Sequence, residues 1–163
     1  ARFTGPSISG CMISQSMAII QYLDDLQPDP RLIPLEPVAR ARVLELANVI
    51  ACDMHPVNNL KVLGYLSREL GVADQARQDW YAHWIREGFE AVEALLQRFG
   101  HGPCCFGAEP TLADICLVPQ VANALRMNCD LSGYPRVLAI YQHCQTLPAF
   151  IAAAPTNQPD LIR

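Results

Sequence analysis

Glu109-Pro110-Thr111-Leu112-Ala113-Asp114-Ile115-Cys116-Leu117-Val118-Pro119-Gln120-Val121 is the stretch from which the fold is read. Thr-x-x-Asp ahead of an apolar run marks a helix start. The Thr111 hydroxyl can accept from the backbone N–H of Asp114, while the Asp114 carboxylate reaches back to the N–H of Thr111. Each half of such a cap contributes about 1 kcal/mol when exposed, and more where the orphan donors are buried. The residues that follow are apolar on nearly every side as far as Leu125, which predicts a central, buried helix. Asp114 is therefore assigned to folding and not to catalysis.

Working outward, Gly100, Gly102, Pro103 and Gly107 mark a loop ahead of this helix. Before the loop, the spacing predicts a long helix from about Asp74 to Arg98, with an apolar stripe through Trp80, Trp84, Phe89, Val92 and Leu95-Leu96. Trp80 and Trp84, one turn apart, read as core or subunit-interface packing. An earlier helical segment, from about Val38 to Leu70, carries His55-Pro56 in its middle, where proline removes a backbone donor and kinks or breaks the helix. On the other side, Tyr134-Pro135 opens a helix through Leu147, and Pro148 to Ala154 forms a short last one.

The start of the chain reads differently. Pro6 to Ser14 predicts two short strands turning at Gly10, and Gln15 to Leu23 switches to helical spacing with Ala18/Ile19, Tyr22/Leu23 and Leu26 on one face. Pro28, Pro30, Pro34 and Pro37 make an extended connection. The expected organisation is a ββα piece over 1–27, a linker over 28–37, and an all-helical domain over 38–163, mostly α in total.

Composition narrows the function classes. With 163 residues, 51% hydrophobic and 17% charged, the chain can bury a large core. A net charge of −4 and one lysine, Lys61, argue against a nucleic-acid surface. No apolar run reaches the length of a membrane span, and the sequence opens without a signal-peptide pattern. Seven cysteines at irregular spacings, without C-x-x-C, fit reduced thiols and a cytoplasmic setting better than a disulfide framework. Cys11, Cys52 and Cys116 are expected to be inert. No second histidine or cysteine follows His55 at a ligand spacing, so no metal site is expected.

Three stretches carry a family resemblance. They are Gln15-Ser16-Met17-Ala18-Ile19-Ile20-Gln21-Tyr22-Leu23, Asp53-Met54-His55-Pro56-Val57-Asn58-Asn59-Leu60-Lys61-Val62-Leu63, and Leu117-Val118-Pro119-Gln120-Val121-Ala122-Asn123-Ala124. With the ββα piece, the linker and the capped central helix, they make the chain resemble the zeta-class glutathione transferases, the maleylacetoacetate and maleylpyruvate isomerases, from Pro6 to Asp160. The resemblance implies a thioredoxin-like first lobe built β-α-β-α-β-β-α, of which this sequence matches the last ββα, joined to the transferase C-terminal helical bundle. The family's thiol-activating loop, with its serine and cysteine, precedes the matched part, so no catalytic residue is assigned here.

The same resemblance assigns ligand contacts. Gly5-Pro6 matches the family's cis-proline turn, where the residue before proline offers its backbone to glutathione; the family usually has valine where Gly5 stands. Gln15 and Ser16, at a helix start suited to anions, match the pair that holds the γ-glutamyl carboxylate, though the residues alone favour a plain N-cap. His55, Asn58, Asn59 and Lys61 match a stretch that lines the glutathione cleft; alternatively, Asn58 and Asn59 repair the backbone bonds that the helix break removes. Arg126 matches an arginine that binds a substrate carboxylate with its two-pronged guanidinium, against the alternative of a helix-end charge complementing the dipole.

The implied activity is glutathione-dependent cis–trans isomerisation of a maleyl diketo acid in aromatic catabolism, in a homodimer whose interface comprises the helices from Val38 to Arg98. The alternatives are a general transferase that conjugates glutathione to electrophiles, and a non-catalytic binding or dimerisation module.

Overall fold

A computed structural model describes the backbone of Ser7, Ile8 and Cys11 and the whole of residues 12–159. Gly5, Pro6 and the turn residue Gly10 lie outside the described residues. Strand β1 (Ser7–Ile8) pairs antiparallel with β2 (Cys11–Met12), and α1 (Ser16–Leu26) follows, giving the expected ββα order. The bundle comprises α2 (Pro37–Asn48), α3 (Leu60–Arg68), α4 (Asp74–Phe99), α5 (Leu112–Arg126), α6 (Pro135–Cys144) and α7 (Pro148–Ala153). Among the described residues no helix is long and apolar enough to cross a membrane.

The capped helix is central, as expected: α5 packs against α2, α6 and the segment joining α2 to α3. Leu112, Ala113, Leu117, Val121 and Ala124 are fully buried. Its burial is not all round, since Pro119, Ala122, Leu125 and Arg126 form an exposed strip.

The capping box is present with one refinement. Asp114 Oδ2 accepts from the Thr111 N–H at 2.8 Å, and the Thr111 hydroxyl donates to the same oxygen at 2.9 Å. Asp114 Oδ1 accepts from the N–H of Cys105 at 2.8 Å, so one carboxylate, 0% exposed, ties the preceding loop to the helix start.

Two other buried carboxylates act over longer distances. Glu93 of α4 accepts from the N–H groups of Arg136 and Val137 at 3.1 and 3.0 Å, which caps α6 from a neighbouring helix. Asp24 of α1 accepts from the N–H groups of Leu32 and Ile33 and pairs with Arg31 at 3.6 Å. This anchor corrects the expected face of α1. Met17, Ile20 and Asp24 turn toward the bundle, while Leu23 and Leu26 are exposed. A stripe of apolar residues is the usual signal, yet here a hydrogen-bonded acid sets the rotation. The connection over 28–36 has neither helix nor strand, and its Ile33 belongs to the core; Pro37 of the expected linker is instead the first residue of α2.

In α4 the fully buried line is Tyr81, Ile85, Phe89, Val92 and Leu96, with Trp80 and Trp84 half-buried beside it. The two indoles meet edge to face at 5.7 Å between centroids. Both tryptophans fit the 3.6 period, but the deeper seam runs one residue along from each.

Candidate active site

The helix break at His55-Pro56 builds one wall of a cleft. After α2 the backbone widens into a π-helical turn, Val49–Met54, in which the N–H of His55 reaches the carbonyl of Ile50 at 2.9 Å. Pro56 has no N–H with which to continue, and the chain tightens into the 3₁₀ turn Pro56–Asn58. Asn59 is extended and caps α3, with its Oδ1 accepting from the N–H groups of Lys61 and Val62 at 2.9 and 3.2 Å. Asn58 Nδ2 donates to the Tyr81 carbonyl at 3.1 Å, and Trp80 Nε1 donates to the Val57 carbonyl at 3.0 Å. The break is thus stitched to α4 at two points.

Opposite this wall runs the C-terminal half of α5. The space between them is a cleft of about 450 Å³. It takes His55, Asn58, Asn59 and Lys61 from the break, Tyr81 from α4, and Gln120, Asn123 and Arg126 from α5. The fold therefore brings together five of the residues singled out in the sequence: four from one stretch, and Arg126 from more than sixty positions downstream. Gln15 and Ser16 do not line this cleft. They stand exposed at the start of α1, Gln15 with a φ of 77° and with no side chain capping the helix, which leaves that terminus open to an anion.

Charge is asymmetric here. Lys61 and Arg126 line the cleft and, among the described residues, no aspartate or glutamate does, although the whole chain is net negative. Such a lining concentrates anions. Among the described residues Arg126 makes no ion pair; its Nη2 donates to Asn123 Oδ1 at 3.0 Å. A helix-end arginine held only by a neutral amide keeps its charge available. The two asparagines behave otherwise. Asn58 is buried and turned to α4, and the Asn59 carbonyl oxygen is occupied as a cap. The backbone-repair reading accounts for the Asn59 cap, whereas the Asn58 bond goes to a carbonyl of α4.

Sequence reasoning missed Tyr81, Gln120 and Asn123. Gln120 and Asn123 carried a usable signal, because they interrupt an apolar helix in the same three-residue stride that ends at Arg126. Tyr81 carried none, since it sits in the buried seam of α4.

A separate buried cluster has ligand-type atoms within 4.8 Å of one another: Cys104, Cys144 and Asp114. The Asp114 oxygens are already engaged by the cap and the Cys105 N–H. Burial, reinforced by the Asp114 charge, pushes both thiols up, Cys144 to about 12, so they hold their protons at neutral pH. The three side chains serve the packing under the loop.

The glutathione S-transferase C-terminal domain family matches residues 78–143. A probable maleylacetoacetate isomerase from Vibrio cholerae is 50% identical over 148 residues, covering 91% of this chain and 68% of that protein. The chain belongs to the maleylacetoacetate isomerase family. The crystal structure of maleylpyruvate isomerase from Pseudomonas aeruginosa matches with a TM-score of 0.94 and 51% identity over 96% of this chain and 83% of that one. A holo structure of a bacterial maleylpyruvate isomerase, described as a zeta-class glutathione transferase, matches with a TM-score of 0.90 and 43% identity over 95% of this chain and 74% of that one. The zeta class expected from the sequence is the right one.

Proposed function

We propose that the protein is a glutathione-dependent cis–trans isomerase of a maleyl diketo acid, with glutathione as its cofactor. The observation that carries this reading is the coincidence of half-identity to an isomerase with a cleft lined by positive side chains. When bound, glutathione supplies the thiolate whose reversible addition to a cis double bond allows rotation. The residues present fit such a ligand: the α1 terminus with Gln15 and Ser16 suits a carboxylate, and His55, Asn59 and Lys61 offer polar contacts along the cleft wall.

The remaining work belongs to this chain's own groups. Arg126 holds the substrate carboxylate at the cleft mouth, where its charge is opposed by no acid. Lys61 adds to the same positive field and favours negative charge that develops on the substrate during reaction. The wall of α5 below Arg126 excludes water from one side. Asp114 and Thr111 hold the helix that carries these groups.

Assembly as a homodimer is part of the same proposal. It is supported by exposed apolar side chains on or beside the helices from Val38 to Arg98, with Leu60 at 84% and Tyr65 at 57% exposure. Cytoplasmic placement is supported by the cysteines, six of which, among the described residues, carry free thiols.

The deciding experiment is turnover of maleylacetone by the full-length protein, with and without glutathione. Isomerisation that requires glutathione and is not consumptive supports the reading. Conjugation of glutathione to a chlorinated aromatic without isomerisation would overturn it. Light scattering checks the dimer.

A further inference from the structure

Asp24 of α1 has no part in the reading above. Its apolar neighbours Leu23 and Leu26 are exposed, while Asp24 is itself 3% exposed and turned to the bundle. One carboxylate oxygen accepts from the Leu32 N–H, the other from the Ile33 N–H at 3.3 Å, and the Arg31 guanidinium lies 3.6 Å away. The backbone carries the link onward. The Leu32 carbonyl accepts at 3.0 Å from the N–H of Leu112, the first residue of α5. Leu32 therefore gives its N–H to α1 and its C=O to α5, and the Asp114 cap holds the same end of α5.

The other contacts of α1 with the bundle are of a softer kind. Met17 and Ile20 pack against the core, and the Cys116 thiol of α5 lies 3.9 Å from the Met17 sulfur. Apolar contacts carry no direction, and a thioether adapts to its surroundings, so by themselves they let the helix rock. Asp24 stands one turn beyond Ile20, and its bonds are directional. An apolar side chain there would fill the same space without the cost of burying charge, and replacing buried ionic groups in that way often loses no stability. What the carboxylate adds is one defined angle of α1 to α5.

That angle matters because the two helices carry opposite ends of the reaction. Ser16 opens α1, where the isomerase reading places a carboxylate of glutathione, and Arg126 ends α5, where it places the substrate. Eight residues separate Ser16 from Asp24, about 12 Å of helix, so a swing of about 5° around Asp24 moves the terminus by roughly 1 Å. Misplacement on that scale can cost about 100-fold in rate.

Resting on the isomerase reading, we infer that Asp24 is a positioning residue. Through Leu32 it sets α1 against α5, and so holds glutathione within reach of a substrate anchored on Arg126.

The test uses the full-length protein with glutathione and maleylacetone. Asp24→Asn keeps the shape and one acceptor oxygen, whereas Asp24→Leu keeps only the bulk. Both should hold the KM for each ligand within about threefold, while kcat per folded molecule falls about tenfold in Asp24→Asn and about 100-fold in Asp24→Leu. Asp25→Asn, at a neighbouring carboxylate whose side chain is 81% exposed, should leave all three constants unchanged. A lowered melting temperature with kcat intact would mark a purely structural anchor and overturn the inference, as would a loss carried by the glutathione KM alone. If Asp24→Leu does not fold, Asp24→Asn, equal in size to the native side chain, decides alone. A wild-type protein that fails to isomerise maleylacetone would instead sink the isomerase reading itself, and this inference with it.

Discussion

Arg126 and Asp114 are two charged side chains on one helix put to opposite uses. Arg126 keeps its guanidinium outside the core with only an amide for company. Arg126→Ala should cut kcat/KM for a maleyl acid by about 10- to 100-fold, the range of a hydrogen bond to a charged group, and leave the KM for glutathione nearly unchanged. Steady-state kinetics with both ligands varied checks this; equal damage to both would mark a structural arginine. Asp114 accepts from two buried N–H groups and a hydroxyl. Asp114→Ala leaves those donors without partners, and the expected loss is about 3 kcal/mol or more. At about 2–4 °C per kcal/mol for a domain of this size, calorimetry should show a fall of at least several degrees without a change in substrate preference. Asp114 was legible because its main partner lies three residues away in the chain. The contact of Asn58 with Tyr81 was not, although Asn58 itself was singled out, because it joins positions 23 apart and nothing local foretells it.

At the scale of elements, the helix starts followed from spacing and punctuation; α4 differs from expectation by a single residue at its end, whereas α6 stops at Cys144, short of the expected Leu147. The means by which neighbouring helices hold each other did not follow. Glu93 reads as an ordinary surface acid until α6 is seen to rest its N-terminus on it. Glu93→Ala should cost about 1–3 kcal/mol, whereas the same change at the exposed Glu90 should fall within about 0.5 kcal/mol; paired denaturant melts distinguish them. Gly88 marks where α4 lies closest to the π-helical turn, since a Cβ there would collide with the buried Met54 side chain. Gly88→Ala, helpful to an isolated helix, should therefore destabilise the protein by about 1–3 kcal/mol through overpacking. Gly88→Ala combined with Met54→Ala should cost less than the sum of the two single changes, because the truncated Met54 no longer meets the added Cβ.

For the molecule as a whole, the ββα-plus-bundle layout was readable because each part has its own period, while the cleft was only half readable. Its charged rim lies in segments that resemble a family, and its neutral floor arises from packing between them. The thiols give a global test. Burial raises Cys116 to about 11 and Cys144 to about 12 from an ordinary 9.0. Below pH 9.0 folded and unfolded chains both hold these protons, so nothing is lost. Above it the unfolded chain releases them first, and stability should decline as pH climbs toward the folded-state values. A thiol reagent at pH 8 should modify the exposed Cys52 at once and the buried Cys104, Cys105 and Cys144 only on unfolding. The widened turn at Val49–Met54 has a consequence of another kind. It holds one residue more than a regular coil would, and each residue advances a helix by about 100°. Loss of a single codon within it would leave the chain as helical as before, yet swing His55 and everything after it round the axis, closing the cleft by a change of phase and not of composition.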